Sequence, residues 1–130
     1  MRERGVAAEQ CSMWDMTGLE RYRTLLLLMN SLGCVGSFPR LREFFVFLHA
    51  GAGRGCQVLL DISPPDWAAL HAAASSHRRR SGATSPLRFS EREGWASLDC
   101  SLTFGDAAGE EFPLLFTEAS AVAAAADAAG

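Results

Sequence analysis

The chain has 130 residues, a hydrophobic fraction of 48% and a formal charge of −3, with four cysteines. That length suits one domain with a packed core, and the composition excludes a disordered or collagen-like chain. No apolar run reaches about 18 residues, so no membrane-spanning segment is expected. The charge is unevenly spread. Residues 1–98 carry all twelve arginines against nine acids, whereas residues 99–130 carry six acids and no base. There is no lysine, so every cation is a guanidinium, suited to bidentate contacts with phosphate or carboxylate. A coding bias towards Arg and Ala explains the same composition without any ligand.

Cys11, Cys34, Cys56 and Cys100 are scattered, with no Cys-x-x-Cys spacing for a zinc site or disulfide framework, and suit a reducing compartment. The first residues, Met1-Arg2-Glu3-Arg4, have no signal-peptide core, and Glu3 and Glu9 argue against a presequence. Residues 1–16 read as a peripheral segment, with Trp14 and Met16 available to dock on the body. Residues 17–130 read as a single domain. Thr17-Gly18-Leu19-Glu20 matches a capping box, while Tyr22 to Met29 is a continuous apolar run open to helix or strand. The short link to the next element favours the strand.

Gly36-Ser37 then leads into a helix. Ser37 is placed to cap it, Pro39 lies in its first turn, and Leu41, Phe44, Phe45 and Leu48 fall on one apolar stripe. Val46 and Phe47 lie off that stripe, so the helix needs cover on a second side, from another chain or from Trp14 and Met16. Glycines at 51, 53 and 55 end the helix; without a following Gly-Lys-Ser/Thr they are not a nucleotide loop. Residues 56–62 predict a strand, and Ser63-Pro64 a second helix running to about Ser75 with Trp67, Leu70 and Ala74 on one face. His77 to Pro86 is expected as a basic loop carrying Arg78, Arg79 and Arg80, followed by a short strand at Leu87-Arg88-Phe89. Leu98, Cys100, Leu102 and Phe104 alternate with polar residues, predicting a half-buried strand that turns at Gly105–Gly109 and returns through Phe112–Phe116. Pro113 confines the returning strand to a sheet edge or a start near Leu114. The Ala-rich tail, anchored by Val122, predicts a closing helix.

The resulting order, β-α-β-α-β-β-α, is an α/β fold of the thioredoxin-like kind, with a mixed four-stranded sheet. Gly18-Leu19-x-Arg21-Tyr22, Gly36-Ser37-x-x-Arg40-x-Arg42-Glu43-Phe44 and the strand at Val58 resemble the thioredoxin-like family of mitochondrial ribosomal proteins, which includes an accessory subunit of respiratory complex I. The likeness covers residues 18–62, and the hairpin at Phe104-Gly105-Asp106 agrees in outline. It implies a mitochondrial, non-catalytic structural subunit of the ribosomal large subunit, with no cofactor and no small-molecule substrate. Its partners would be neighbouring proteins and rRNA. Missing lysine and an acidic C-terminal third depart from the basic ribosomal members, and the acidic balance suits the complex I alternative. Residues 76–94 look inserted relative to a compact member.

Candidate contact residues are Arg40 and Arg42 at the helix start, Val46 and Phe47 on its second side, and Arg78, Arg79 and Arg80. The basic residues also have a plain reading, a solvated loop for the triple Arg and local ion pairs for Arg40 and Arg42. Cys34-Val35-Gly36-Ser37 stands where a thioredoxin-like fold carries its redox motif, with Pro86 as the facing proline, so a monothiol oxidoreductase using Cys34 is a third reading. His49, His71 and His77 lack metal-ligand spacing and read as structural or exposed. Asp99, Asp106, Glu110 and Glu111 read as a solvated hairpin end, and no metal site is expected.

Overall fold

The computed structural model describes residues 4–5, 7–80 and 87–130, with backbone only for 74–80 and 104. It is a mixed α/β fold. Strand β1 (Thr24–Leu27) pairs in parallel with β2 (Gln57–Leu60), and helix α1 (Phe38–Gly51) makes the crossover between them. Helix α2 (Trp67–Arg80) follows, then strands β3 (Leu87–Ser90) and β4 (Trp95–Cys100), the short ribbon β5 (Thr103–Phe104) and β6 (Ala107–Ala108), β7 (Phe112–Thr117) and helix α3 (Ala119–Asp127). The run from Tyr22 to Met29 therefore holds a strand, in keeping with its short link to α1. The capping-box residues form only a 3-10 turn, Leu19–Arg21, entered through Gly18 in a left-handed conformation.

Helix α1 carries the core. Leu41, Phe44, Phe45 and Leu48 are buried, together with Phe38. The inward residues of the parallel pair, Leu25, Leu27, Val58 and Leu60, pack against that cluster, and α3 adds Ala121, Val122 and Ala125. Ser37 occupies the cap position in extended conformation, but its side chain makes no capping hydrogen bond; Pro39 and the Leu41 amide on the Ser37 carbonyl (3.0 Å) set the first turn. In α2 the start is Trp67 rather than Pro64. Asp66 is its cap, accepting from the Ala69 amide at 3.0 Å, which leaves Ser63-Pro64-Pro65 outside the helix. The helix also continues beyond Ser75. Residues 77–80 belong to its last turn instead of a loop, while 81–86 lie outside the described residues.

The expected single four-stranded sheet does not form. β1–β2 is a two-stranded sheet, β3-β4-β7 is a separate antiparallel sheet, and β5–β6 is a ribbon. The reason lies between β1 and α1. Met29 and Asn30 have positive φ (61° and 52°), and Ser31–Val35 is a 3-10 segment, so the backbone leaves strand geometry before it can extend a ladder. That segment lies along β7. A Cβ on Gly33 would sit 2.6 Å from the Leu115 carbonyl, and one on Gly36 2.7 Å from Pro113, so both approaches need glycine. Buried Ser97 ties the two parts together by donating to the Gly36 carbonyl at 2.7 Å. β7 starts at Phe112 and is an edge strand, the first of the two outcomes that Pro113 allows.

The alternation over residues 98–104 does not produce one long half-buried strand. β4 stops at Cys100, its most buried residues are Ala96 and Ser97, and Leu102 is exposed. The two-residue turn Gly105-Asp106, with Gly105 at φ 59°, then closes the β5–β6 ribbon outside the core.

Candidate functional site

The residues singled out in the sequence divide among separate places. Arg40 lays its guanidinium 4.8 Å from the centre of the Trp14 ring, and Arg42 lies 5.1 Å from that of Phe38. Both are cation–π contacts at an exposed surface. Trp14 meets Phe44 edge-on at 5.4 Å and Phe47 at 6.3 Å, so the chain's own N-terminal segment supplies cover for Phe47. Met13, Trp14 and Met16 pack on the core, so the N-terminal segment docks on the body through Trp14 and Met16. Val46 remains 52% exposed. Arg78, Arg79 and Arg80 end α2, and their side chains lie outside the described residues.

Cys34 is an exposed thiol on the 3-10 segment, at the rim of an apolar cavity of about 360 Å³ lined by Met13, Trp14, Met16 and Leu27. Pro86, expected to face it, lies outside the described residues. All four cysteines are free thiols. Among the described residues, no group of three His, Cys, Asp or Glu could hold a metal, and no helix is long and apolar enough to cross a membrane. His71 pairs with Glu91 at 3.0 Å and stands edge-on to Phe89. Asp99 is taken up by Arg88 at 3.2 Å.

Arg42 belongs to a small cleft of about 260 Å³ between α1, the turn 91–94 and α3. Phe38 and Trp95 stack nearly parallel there, 5.9 Å apart. The Trp95 indole donates to Glu93 at 3.1 Å. That bond, then the Ser90 hydroxyl and the charges of Arg42 and Arg92, hold the Glu93 carboxyl below its ordinary range despite a small opposing desolvation. A lowered carboxyl favours the folded state above its unfolded pKa, and the effect is lost as pH falls through the lowered folded value. Titration followed by NMR should give Glu93 a pKa below that of a free glutamate, and Trp95→Phe should return it towards the ordinary value.

The outer face of the β1–β2 sheet is a site that the sequence pattern does not single out. Leu25, Leu27, Val58 and Leu60 point inward; Leu26 and Leu59, which pair across the strands, point outward at 60% and 46% exposure. Leu28 and Met29 extend this face, Met29 at 93% exposure. Helix α2 does not cover it. Trp67 instead bonds Glu118 at 2.9 Å and packs against Phe89, which fixes α2 to the other sheet. One signal for this face is present in the sequence, because an unbroken apolar run fits a strand that is covered on both faces.

No family model matches the chain, and no curated protein or solved structure matches it.

Proposed function

We propose that this protein is a non-catalytic structural subunit of a large assembly, the large subunit of the mitochondrial ribosome, held there mainly by protein neighbours. The observation that carries the reading is the bare outer face of β1–β2. Parallel strands are nearly always covered on both faces, and here one face of Leu26, Leu28, Met29 and Leu59 meets solvent in the isolated chain. A protein neighbour completes the missing layer. The choice of assembly rests on the motifs at residues 18–22 and 36–44, and mitochondrial localisation comes with it. The thioredoxin-like relationship belongs to the same proposal, supported by the parallel β1–α1–β2 unit followed by antiparallel strands and a closing helix. The acidic C-terminal third favours a second reading, an accessory subunit of respiratory complex I.

Sedimentation of the native protein separates the two. It should travel with the large ribosomal particle and move to lighter fractions after RNase. Recovery with complex I, unaffected by RNase, selects the second reading, and sedimentation as a free small protein overturns both. The double change Leu26→Gln/Leu59→Gln should lower incorporation at least tenfold. Each buried leucine is worth about 1.5–3 kcal/mol, and one factor of ten needs about 1.4 kcal/mol.

A further inference from the structure

The N-terminal end of the same parallel sheet carries a feature of opposite character. Residues 20–23 lead into β1, and residues 53–56 lead into β2. Because the strands are parallel, these two segments lie side by side, joined by the Gln57 amide on the Arg23 carbonyl at 2.8 Å. Between them is a cleft of about 380 Å³ with Arg21, Tyr22 and Arg23 on one wall and Arg54 on the other. All three arginines are exposed, and none forms an ion pair among the described residues. Arg21 is fixed by its Nε, which donates to the Gly18 carbonyl at 3.2 Å. Glu20 is the one acid in the lining, so the cleft keeps a positive excess of three guanidiniums over one carboxylate. Tyr22 is 54% exposed among them. The two walls meet closely, since a Cβ on Gly53 would lie 2.9 Å from the Glu20 carbonyl. Glycine at 53 is thus what lets the Arg54 turn seat against the first wall.

From this geometry we infer that the cleft of Arg21, Tyr22, Arg23 and Arg54 binds single-stranded RNA, its guanidiniums on successive phosphates and Tyr22 stacking an unpaired base. Guanidiniums without carboxylate partners suit a phosphate backbone. An exposed aromatic ring between them adds a sequence-tolerant stacking surface for an unpaired base. The inference concerns a surface distinct from the apolar face, and it stands whichever assembly the protein joins.

The test is fluorescence anisotropy of the full chain with a labelled oligouridine of about twelve nucleotides, over a range of salt concentrations. Log affinity should fall with log salt with a slope near −2, about −0.7 for each of three contacts on a single strand. Arg23→Gln/Arg54→Gln should weaken binding about tenfold or more at low salt and make the slope shallower by about 1.4. Tyr22→Ala should weaken it about fivefold or more and leave the slope unchanged. These are surface changes, and circular dichroism checks that the fold is kept. Arg78→Gln/Arg79→Gln/Arg80→Gln is the comparison. The inference is overturned if the wild-type chain does not bind the oligonucleotide, or if only the α2 variant loses binding. It is also overturned if oligoglutamate binds the cleft as tightly as RNA does. Failure to sediment with ribosomes would overturn the assembly reading alone.

Discussion

Phe44→Ala is expected to lower the stability by about 3–5 kcal/mol, the usual cost of deleting a buried phenyl ring and leaving its cavity. Phe44 has no exposed surface and stands mid-way along α1, between the inward residues of β1–β2 and the N-terminal segment. Its ring receives the edge of Trp14 at 5.4 Å and stacks on Phe47 at 6.0 Å, so the substitution also removes the seat of residues 13–16. Since whole domains hold only about 5–15 kcal/mol, the variant should be partly unfolded at moderate denaturant concentrations that leave the wild type folded. Equilibrium denaturation followed by tryptophan fluorescence measures both effects: an earlier midpoint, and emission from Trp14 shifted to the red before unfolding begins. A cost below about 1 kcal/mol would mean that α1 is not the centre of the core.

The second large effect is expected at an exposed residue. Asp61 follows β2, and its two carboxylate oxygens accept from the Met29 and Asn30 amides at 2.8 and 2.7 Å. Those are the two non-glycine residues with positive φ among the described ones. The carboxylate therefore holds a strained turn, and the turn in turn directs the 3-10 segment against β7. Hydrogen bonds to a charged acceptor are worth about 1.5–3 kcal/mol each when protected; with Asp61 exposed, Asp61→Ala should cost about 2–3 kcal/mol in total. Asp61→Asn should lie between, because an amide offers one acceptor and turns an NH2 towards the second amide. Denaturation midpoints of the three proteins rank the effects. Amide exchange should quicken at Gly33, whose amide bonds the Asn30 carbonyl at 2.9 Å, if the turn is what holds the segment.

Part of the candidate site is legible in the sequence, and part is hidden for definite reasons. Phe47 lies off the stripe of α1 and asks for cover, and Trp14 is an apolar residue with no place of its own; the geometry joins them, with Arg40 over the same indole. Cys34 stands just before α1 in both sequence and structure, at the edge of an apolar cavity. The outer face of β1–β2 is legible only in part, because a continuous apolar run fits a strand covered on both faces but does not say which residues form each face or what the second layer is. The cleft of Arg21, Arg23 and Arg54 is not legible from spacing, since residues about thirty positions apart meet only when β1 and β2 pair in parallel.

The sequence by itself determined helix α1 and the strand after it, and only favoured a strand before it. The stripe of Leu41, Phe44, Phe45 and Leu48 has one period and one burial partner, so local pattern and packing agree. Through Pro113 it also limited β7 to a sheet edge or a start near Leu114, and through its alanines it gave the closing helix. Only the tertiary structure decided that the sheet divides. That outcome depends on Asp61 bonding amides 31 and 32 residues away, and on the contacts of Gly33 and Gly36 with β7. Long-range hydrogen bonds and close backbone approaches leave no periodicity in the chain, whereas a helix stripe does.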